Sequence, residues 1–433
     1  MKNSTSFSRK HFLVASAGVA AAPLILPSGV YGAEQELEIG LIGCGRMGRG
    51  NIMSVFGQGK KYNAVITAVC DVDLKRARAM AEELEKKYAE QGRTVHLQVW
   101  QDFREFVAKS GVNAVVIATP DHNHAINAIA CAEAGMDIYL QKPLTYSVVE
   151  GQKLIEVVRR KKVILQVGAQ QRSSIYFRKP AELVRNGALG KLHTIEVEVP
   201  TDNGTGDPSQ SPVPGNLDYD LWIGPTPLQP YAERRVHPQH DLSRPGWLQI
   251  EAYCRGMITG WGSHMYDIAQ WALDMDGSGP VEVSAKGDFP QRGLFDVHVG
   301  YSGEATYANG VKVVSRNGKP GVKFIGEDGW IRCWRGGFEA HDREIFRQEI
   351  PESGKLYESK HHEADWLQAI QSRKDPVSTV EIGHRSNTVC VLHHISMKLD
   401  GRKLKWDPVK EQITGDPEAN ALLDFEHRKP WTV

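Results

Sequence analysis

The sequence predicts an α/β protein in two parts. An N-terminal doubly wound parallel sheet comes first, then a larger α/β domain built on a large, open, mostly antiparallel sheet. Three observations carry this. Short apolar runs alternate with amphipathic stretches from Glu36 to about Gly168. A glycine cluster follows the first of those runs directly. After Gly168 the alternation stops, and strand-like segments gather between Val281 and Trp334.

The first part is expected over residues 34–168. Its strands are read at Leu37–Gly43, Ala64–Asp71, Asn113–Thr119, Asp137–Gln141 and Val163–Gly168. Helices fall between them, at Leu74–Tyr88, His124–Ala134 and Val148–Lys161. Buried strands separated by amphipathic helices mean parallel pairing with right-handed crossovers. The second part is expected over residues 169–433. It opens with a helix near Phe177–Asn186 and a strand at His193–Val199, followed by a long ordered loop rich in Pro, Gly and Asp (201–230). Turn signals at Asn309-Gly310 and Asn317-Gly318 break the later strands, and His361–Leu399 reads as helical. The C-terminal tail is expected to pack back on the first domain.

Bulk numbers narrow the function. At 433 residues the chain is too long for one ordinary domain. Lys plus Arg and Asp plus Glu are 52 each, so no net field draws the protein to nucleic acid or an anionic membrane. The six cysteines are scattered, without CxxC or zinc-like spacing. They read as buried free thiols, with a Cys44–Cys70 bridge the one conceivable pairing, and no metal site is expected.

Residues 1–33 read as an export signal. A basic start (Arg9, Lys10, His11) precedes an apolar run from Phe12 to Leu26, and Gly32 and Ala33 offer a cleavage site. Pro23 and Pro27 interrupt a run already too short to span a membrane. The string from Ser8 to Leu13 is twin-arginine-like, with Lys10 at the second arginine; the alternative is an ordinary secretory signal. Either implies a periplasmic protein.

Gly43, Gly45 and Gly48 stand in GxGxxG spacing between a strand and a helix. Gly43 permits the tight turn, Gly45 admits the pyrophosphate, and Gly48 lets helix and strand pack closely. The anion then meets free N–H groups at the helix N-terminus. This is the signature of a Rossmann dinucleotide site. Arg46 and Met47 lie in the same loop. Asp71 ends the second strand, where a carboxylate accepts both ribose hydroxyls of NAD and repels the 2′-phosphate of NADP. Its other reading is a helix N-cap. Arg76 lies downstream and keeps NADP open as the less favoured cofactor.

Three further motifs follow in order: ATPDHNHA (118–125), QKPL (141–144) and GWGSHMYD (260–267). With the glycine loop, they resemble the Gfo/Idh/MocA oxidoreductases, which include glucose–fructose oxidoreductase and inositol dehydrogenase. DYDLWIGP (218–225) and the ending DPEANALL…RKPW (416–431) are similar to an exported, mainly bacterial branch. The resemblance implies that Lys142 stands at the nicotinamide and contacts the reacting hydroxyl, and that His264 assists it. Burial and the nicotinamide cation would lower the lysine pKa toward a useful base. Gln141 replaces the usual glutamate, removing a charge beside Lys142. The family's acid four residues before the histidine falls on Gly260; Glu251, Tyr253 and Asp267 are the candidates to replace it. Thr119, Pro120 and His122 are implied on the nicotinamide side. Arg172, Trp222, His237 and His240 are candidate substrate contacts, with Trp222 reading equally as core.

The expected activity is hydride transfer at a secondary hydroxyl of a sugar, polyol or glycoside, using tightly bound NAD. Two alternatives stand beside it: redox-neutral glycoside cleavage by oxidation, elimination and re-reduction, and a non-catalytic NAD-holding protein. An uncovered apolar face on the second sheet is expected to drive dimer or tetramer formation.

Overall fold

The computed structural model describes residues 35–433; the expected export signal lies outside the described residues. The chain from 37 to 167 runs β1 (Leu37–Ile42), α1 (Arg46–Gly59), β2 (Ala64–Cys70), α2 (Leu74–Glu90), β3 (Gln98–Trp100), α3 (Phe103–Lys109), β4 (Ala114–Ile117), α4 (His124–Glu133), β5 (Asp137–Leu140), α5 (Val148–Lys161) and β6 (Leu165–Val167). The six strands pair in the order β3-β2-β1-β4-β5-β6, all parallel. The doubly wound sheet is as the sequence predicts. β3 was not anticipated: three residues, none fully buried, give no apolar run to read.

Local sequence explains the helix starts. The Asp73 side chain accepts the backbone N–H groups of Lys75 and Arg76 and so caps α2. Ser147 and Glu150 form a reciprocal capping box at α5. Capping therefore falls to Asp73, which leaves Asp71 for other work.

The second domain continues with α6 (Ile175–Arg185), β7 (Leu192–Val199), α7 (Tyr219–Ile223), α8 (Met257–Gly260), α9 (Gly262–Ala272), β8 (Glu282–Asp288), β9 (Gly300–Thr306), β10 (Lys312–Asn317), β11 (Gly321–Gly326), β12 (Gly329–Trp334) and β13 (Gly337–Ala340). Then come α10 (His362–Ser372), α11 (Val380–Lys398), β14 (Leu404–Asp407), β15 (Gln412–Ile413) and α12 (Pro417–Ala421). A nine-stranded sheet has the order β13-β12-β11-β7-β10-β9-β8-β14-β15. Only its β7–β10 pair is parallel. Asn309-Gly310 closes the β9–β10 hairpin, with Gly310 at φ +85°. Asn317-Gly318 does not close a hairpin, because β7 lies between β10 and β11.

α6, α9 and α11 cover one face of this sheet and bury its apolar side chains with their own. α10 packs on α1, and its Trp366 enters the core of the first domain. At the end of the chain Trp431 stacks on Phe103 of α3. The first domain is thus clasped by segments from the far end of the sequence.

The open face of the large sheet differs from expectation. It carries Glu196, Glu198, Glu304, Lys312, Arg316, Lys323 and Arg332. Glu198 accepts from Arg316 at 3.2 Å and Arg332 at 3.3 Å, and Lys312 meets Glu304 at 2.9 Å. Strand alternation places polar side chains outward here, with Val314, Ile325 and Trp330 interspersed, so there is no continuous apolar face. All six cysteines are free and buried, and Cys44 and Cys70 are not bridged. Among the described residues, no helix is long and apolar enough to cross a membrane, and no side-chain group has the makings of a metal site.

Candidate active site

A cavity of about 510 Å³ lies outside the carboxyl ends of β1, β2, β4 and β5, under the second domain. This is where ligands bind in open parallel sheets. The glycine loop forms its floor. Gly43 has φ +94°, and a Cβ there would stand 2.6 Å from the Ala118 carbonyl oxygen. A Cβ on Gly48 would stand 1.8 Å from the Gly43 oxygen, so only glycine lets α1 sit this close to β1. At Gly45 the nearest atom to such a Cβ is 3.5 Å away, which leaves the approach above the loop open. Arg46 and Met47 line the same floor. This cradle at a helix N-terminus fits a pyrophosphate.

Asp71 stands at the ribose position. Its Oδ2 accepts the Cys44 N–H at 2.7 Å and its Oδ1 the Asp73 N–H at 2.8 Å, which fixes the carboxylate facing the cavity. Burial pushes its pKa up, against the pull of His237, the Asp73 amide and Arg76. Arg76 also lines the cavity, but its Nη2 is held by the carbonyls of Pro238 at 2.8 Å and Asp241 at 3.0 Å. With a fixed carboxylate and an engaged guanidinium, NAD(H) should bind more tightly than NADP(H). Calorimetry on Asp71→Ser is expected to show that preference narrowed; tighter NADP(H) binding by the unmodified protein would contradict the assignment.

The loop after β7 is stitched over this end of the cleft. Leu74 N–H donates to Asn216 at 2.9 Å, Asp218 N–H to Val72 at 2.9 Å, and Asp73 pairs with His237 Nε2 at 2.9 Å. Burial opposes ionisation of Asp73, yet hydrogen bonds from His237 and Asn216 hold it at about 2. His237 therefore anchors this loop. His240 is exposed and does not line the cavity.

The nicotinamide end lies between β4 and β5. Thr119 and Pro120 line it, but His122 does not. The His122 ring is buried against Trp222 and Tyr253, its Nε2 is 2.9 Å from the Trp222 carbonyl, and burial lowers its pKa to about 4. Asn123 and His124 line the cavity in its place. His124 reaches the carbonyls of Pro143 at 2.7 Å and Thr119 at 3.0 Å, tying the end of β4 to that of β5. A neutral imidazole donates to only one of them.

Lys142 projects from the end of β5, and its Nζ donates to the Gly260 carbonyl at 2.8 Å. Burial lowers its pKa, while Asp121 works against that fall. Gln141 points at α1: its amide donates to Asn51 Oδ1 at 2.7 Å. Asn51 in turn donates to Glu363 of α10 at 3.1 Å, as do Tyr139 at 3.1 Å and Ser54 at 2.9 Å. A glutamate at 141 would bring a second carboxyl group into this buried network beside Glu363.

His264 sits near the start of α9, buried beside Trp261, with no partner for Nδ1 among the described residues. Burial, then Lys142 and Arg335, hold it neutral. None of the three acids or hydroxyls proposed to serve it does so. Glu251 is taken by His394 at 3.1 Å and Lys398 at 2.8 Å. Asp267 is taken by Arg172 and Ser386. Tyr253 is walled into the aromatic cluster around Trp222.

Arg172 is not a substrate contact in this geometry. Its fork is used up by Asp267 at 2.8 and 2.9 Å and by Asp276 at 2.6 and 2.9 Å, all away from the cavity. Trp222 is both things the sequence allowed: a core side chain, 2 % exposed, that also lines the cavity. Sequence reasoning missed Asp121 and Trp261, which line the cavity, and Arg335. Arg335 stacks on Trp261 at 4.6 Å from a turn between β12 and β13, and no motif marks it.

Two family models match. One, described as the oxidoreductase family's NAD-binding Rossmann fold, covers residues 37–169; the other, the oxidoreductase family's C-terminal alpha/beta domain, covers residues 193–433. The myo-inositol 2-dehydrogenase of Thermotoga maritima is 30% identical over 187 residues, 42% of this chain and 48% of that protein. The match thus spans about half the length of that relative. Among solved structures, the WlbA dehydrogenase of Bordetella pertussis, in complex with NADH and UDP-GlcNAcA, aligns at TM-score 0.64 and 16% identity, over 86% of this chain and 98% of that one. A levoglucosan dehydrogenase in complex with NADH and levoglucosan aligns at TM-score 0.59 and 19% identity, over 86% and 99%. At these identities the likeness to solved structures is one of fold. Both domain models match in the expected order around a cleft that fits NAD: the chain belongs to the Gfo/Idh/MocA family of NAD-binding oxidoreductases.

Proposed function

We propose that this protein transfers a hydride between a secondary hydroxyl of a sugar, polyol or glycoside and NAD, with Lys142 exchanging the hydroxyl proton. The observation that carries this is the placement of Lys142. Its nitrogen is aimed by the Gly260 carbonyl in a cavity whose other end is the glycine loop. The nicotinamide supplies the hydride acceptor when bound. Lys142 binds the hydroxyl oxygen and takes its proton. Trp261 and Trp222 offer apolar faces to a sugar ring, and the second domain keeps water from the reacting carbon. The test begins with the protein purified without added cofactor, whose bound nucleotide is released and identified. The holoenzyme is then screened on sugars, polyols and glycosides. NADH formed in proportion to alcohol consumed supports the reading. Bound NAD without turnover of any kind overturns it and favours a holding role.

Redox-neutral glycoside cleavage is the second reading. The loop stitched over the ribose end, through Asn216, Asp218 and His237, favours a cofactor that stays bound through many turnovers. An export signal at residues 1–33 would remove the protein from the cytoplasmic NAD pool and fit the same reading. Glycoside cleavage without net NADH distinguishes it from the first.

Self-association is proposed through the open sheet face. Its alternating acids and bases, with Trp330 and Ile325 between them, can pair with a second copy related by a two-fold axis. Light scattering at micromolar concentration is expected to give a dimer or tetramer, sensitive to salt. A monomer at low salt would contradict this.

A further inference from the structure

The family's carboxylate at position 260 is missing here, and Gly260 gives Lys142 only a carbonyl oxygen. Glu251 and Asp267 are spent on other cations. One acid near the site is not. Asp121 opens the short 3-10 turn Asp121–Asn123 that follows β4. Ile117 of β4 pairs with Leu140 of β5, so the two strands end side by side. Asp121 and Lys142 therefore leave the same edge of the sheet and line the same cavity. The Asp121 side chain is buried, 4 % exposed, and its Oδ2 has no hydrogen-bond partner among the described residues. A buried carboxylate left open in this way is costly unless a cation answers it.

We propose that Asp121 is the proton partner of Lys142, supplying from the first domain the carboxylate that position 260 lacks. Electrostatics agree with the geometry. Burial raises the Asp121 carboxyl to about 7 against the pull of Lys142, and burial lowers Lys142 against the pull of Asp121. The two shifts run toward each other, so moving a proton from ammonium to carboxylate costs less inside the cavity than in water. Of the other groups that reach this pair, Arg335 and Arg46 push the Lys142 pKa further down, the Cys254 thiol is raised well above its usual value by burial, and His124 and His264 are held neutral by burial.

The step, which rests on the proposed alcohol oxidation, balances as follows. Asp121 takes one proton from the Lys142 ammonium, leaving a neutral amine. The substrate hydroxyl gives its proton to that amine while the C–H electron pair leaves as hydride to the nicotinamide and the C=O bond forms. Lys142 is an ammonium again, and Asp121 releases its proton to solvent. Asp121 is thus a positioning and proton-holding residue rather than a group that touches substrate.

The test reads Lys142 without any substrate. NAD-loaded protein carrying ¹³C at the lysine ε-carbon is titrated by NMR, with the Lys142 resonance assigned by its loss in Lys142→Met. In the unmodified protein that resonance is expected to shift near pH 7, as Asp121 titrates, and again at the lysine's own midpoint. Asp121→Asn should remove the first step and move the lysine midpoint down by about one pH unit or more, because it removes the charge that favours the ammonium. Nucleotide content should not change, and Asp121→Glu should restore the first step. An unmoved lysine midpoint in Asp121→Asn overturns the proposal. If Asp121→Asn does not fold, the absence of any step near pH 7 in the unmodified protein overturns it equally. Undiminished turnover in Lys142→Met would instead strike the hydride-transfer reading and leave this pairing standing.

Discussion

Lys142→Met is expected to lower turnover by about 10²–10⁴-fold while nucleotide binding stays within a few-fold of normal, the usual scale for a positioned acid–base group. Methionine keeps the length and apolar stem of lysine and removes its proton-exchanging nitrogen. The pyrophosphate cradle at Gly43, Gly45 and Gly48, between β1 and α1, and the carboxylate of Asp71, just after β2, are untouched. The loss should therefore appear in kcat, and calorimetry with NADH should change little. The pH profile sharpens this. Lys142 acts as a base only without its third proton, so activity should rise with pH through its folded-state pKa. Burial lowers that pKa, so the rise should fall below the range of a solvated lysine. Near-normal turnover in Lys142→Met would remove this residue from the chemistry.

Arg172→Leu is expected to destabilise the fold by ~3–5 kcal/mol, the scale for removing one partner of a buried ion pair. The guanidinium is 1 % exposed and makes paired contacts with both Asp267 and Asp276. Asp267 is itself buried, and burial already raises its pKa against the pull of Arg172. Leucine would leave it without its counterion. Denaturant unfolding should show the loss as an earlier midpoint. A substrate-binding role predicts the opposite pattern, an unchanged midpoint and a raised KM, and that result would contradict the structural assignment.

These two residues also show what was legible in the sequence. Lys142 and the glycine loop could be read because backbone geometry ties them to neighbours a few residues away: a strand end, a tight turn, a helix start. The family motifs then carried Lys142 to its place. Arg172 could not be read the same way. Its partners lie 95 and 104 residues downstream, and a lone arginine after β6 looks the same whether it awaits a ligand or two aspartates. His122 failed for a related reason. Its motif was right, but the aromatic pocket that turns it away is built from Trp222 and Tyr253, on segments that meet only in three dimensions.

The open sheet failed differently. Strand alternation does predict one buried and one exposed face, and the buried face is apolar under α6, α9 and α11. The expectation of an apolar outer face ignored the other half of the same alternation, which reads Glu196 and Glu198 along β7 and Lys312 and Arg316 along β10. Asp121 was in plain view within ATPDHNHA, yet only its burial, its open oxygen and its place beside β5 separate it from an ordinary turn residue.

The most direct test of a single NAD-and-alcohol site is a crystal structure of the NAD complex. The pyrophosphate should lie over Gly45, Arg46 and Met47, the adenosine ribose on Asp71, and the nicotinamide between Thr119 and Lys142. A polyol bound in the same crystal should place a carbinol carbon about 3–3.5 Å from nicotinamide C4 and its hydroxyl within hydrogen-bond reach of Lys142 Nζ. A nicotinamide turned away from Lys142, or NAD seated elsewhere on the protein, would contradict it.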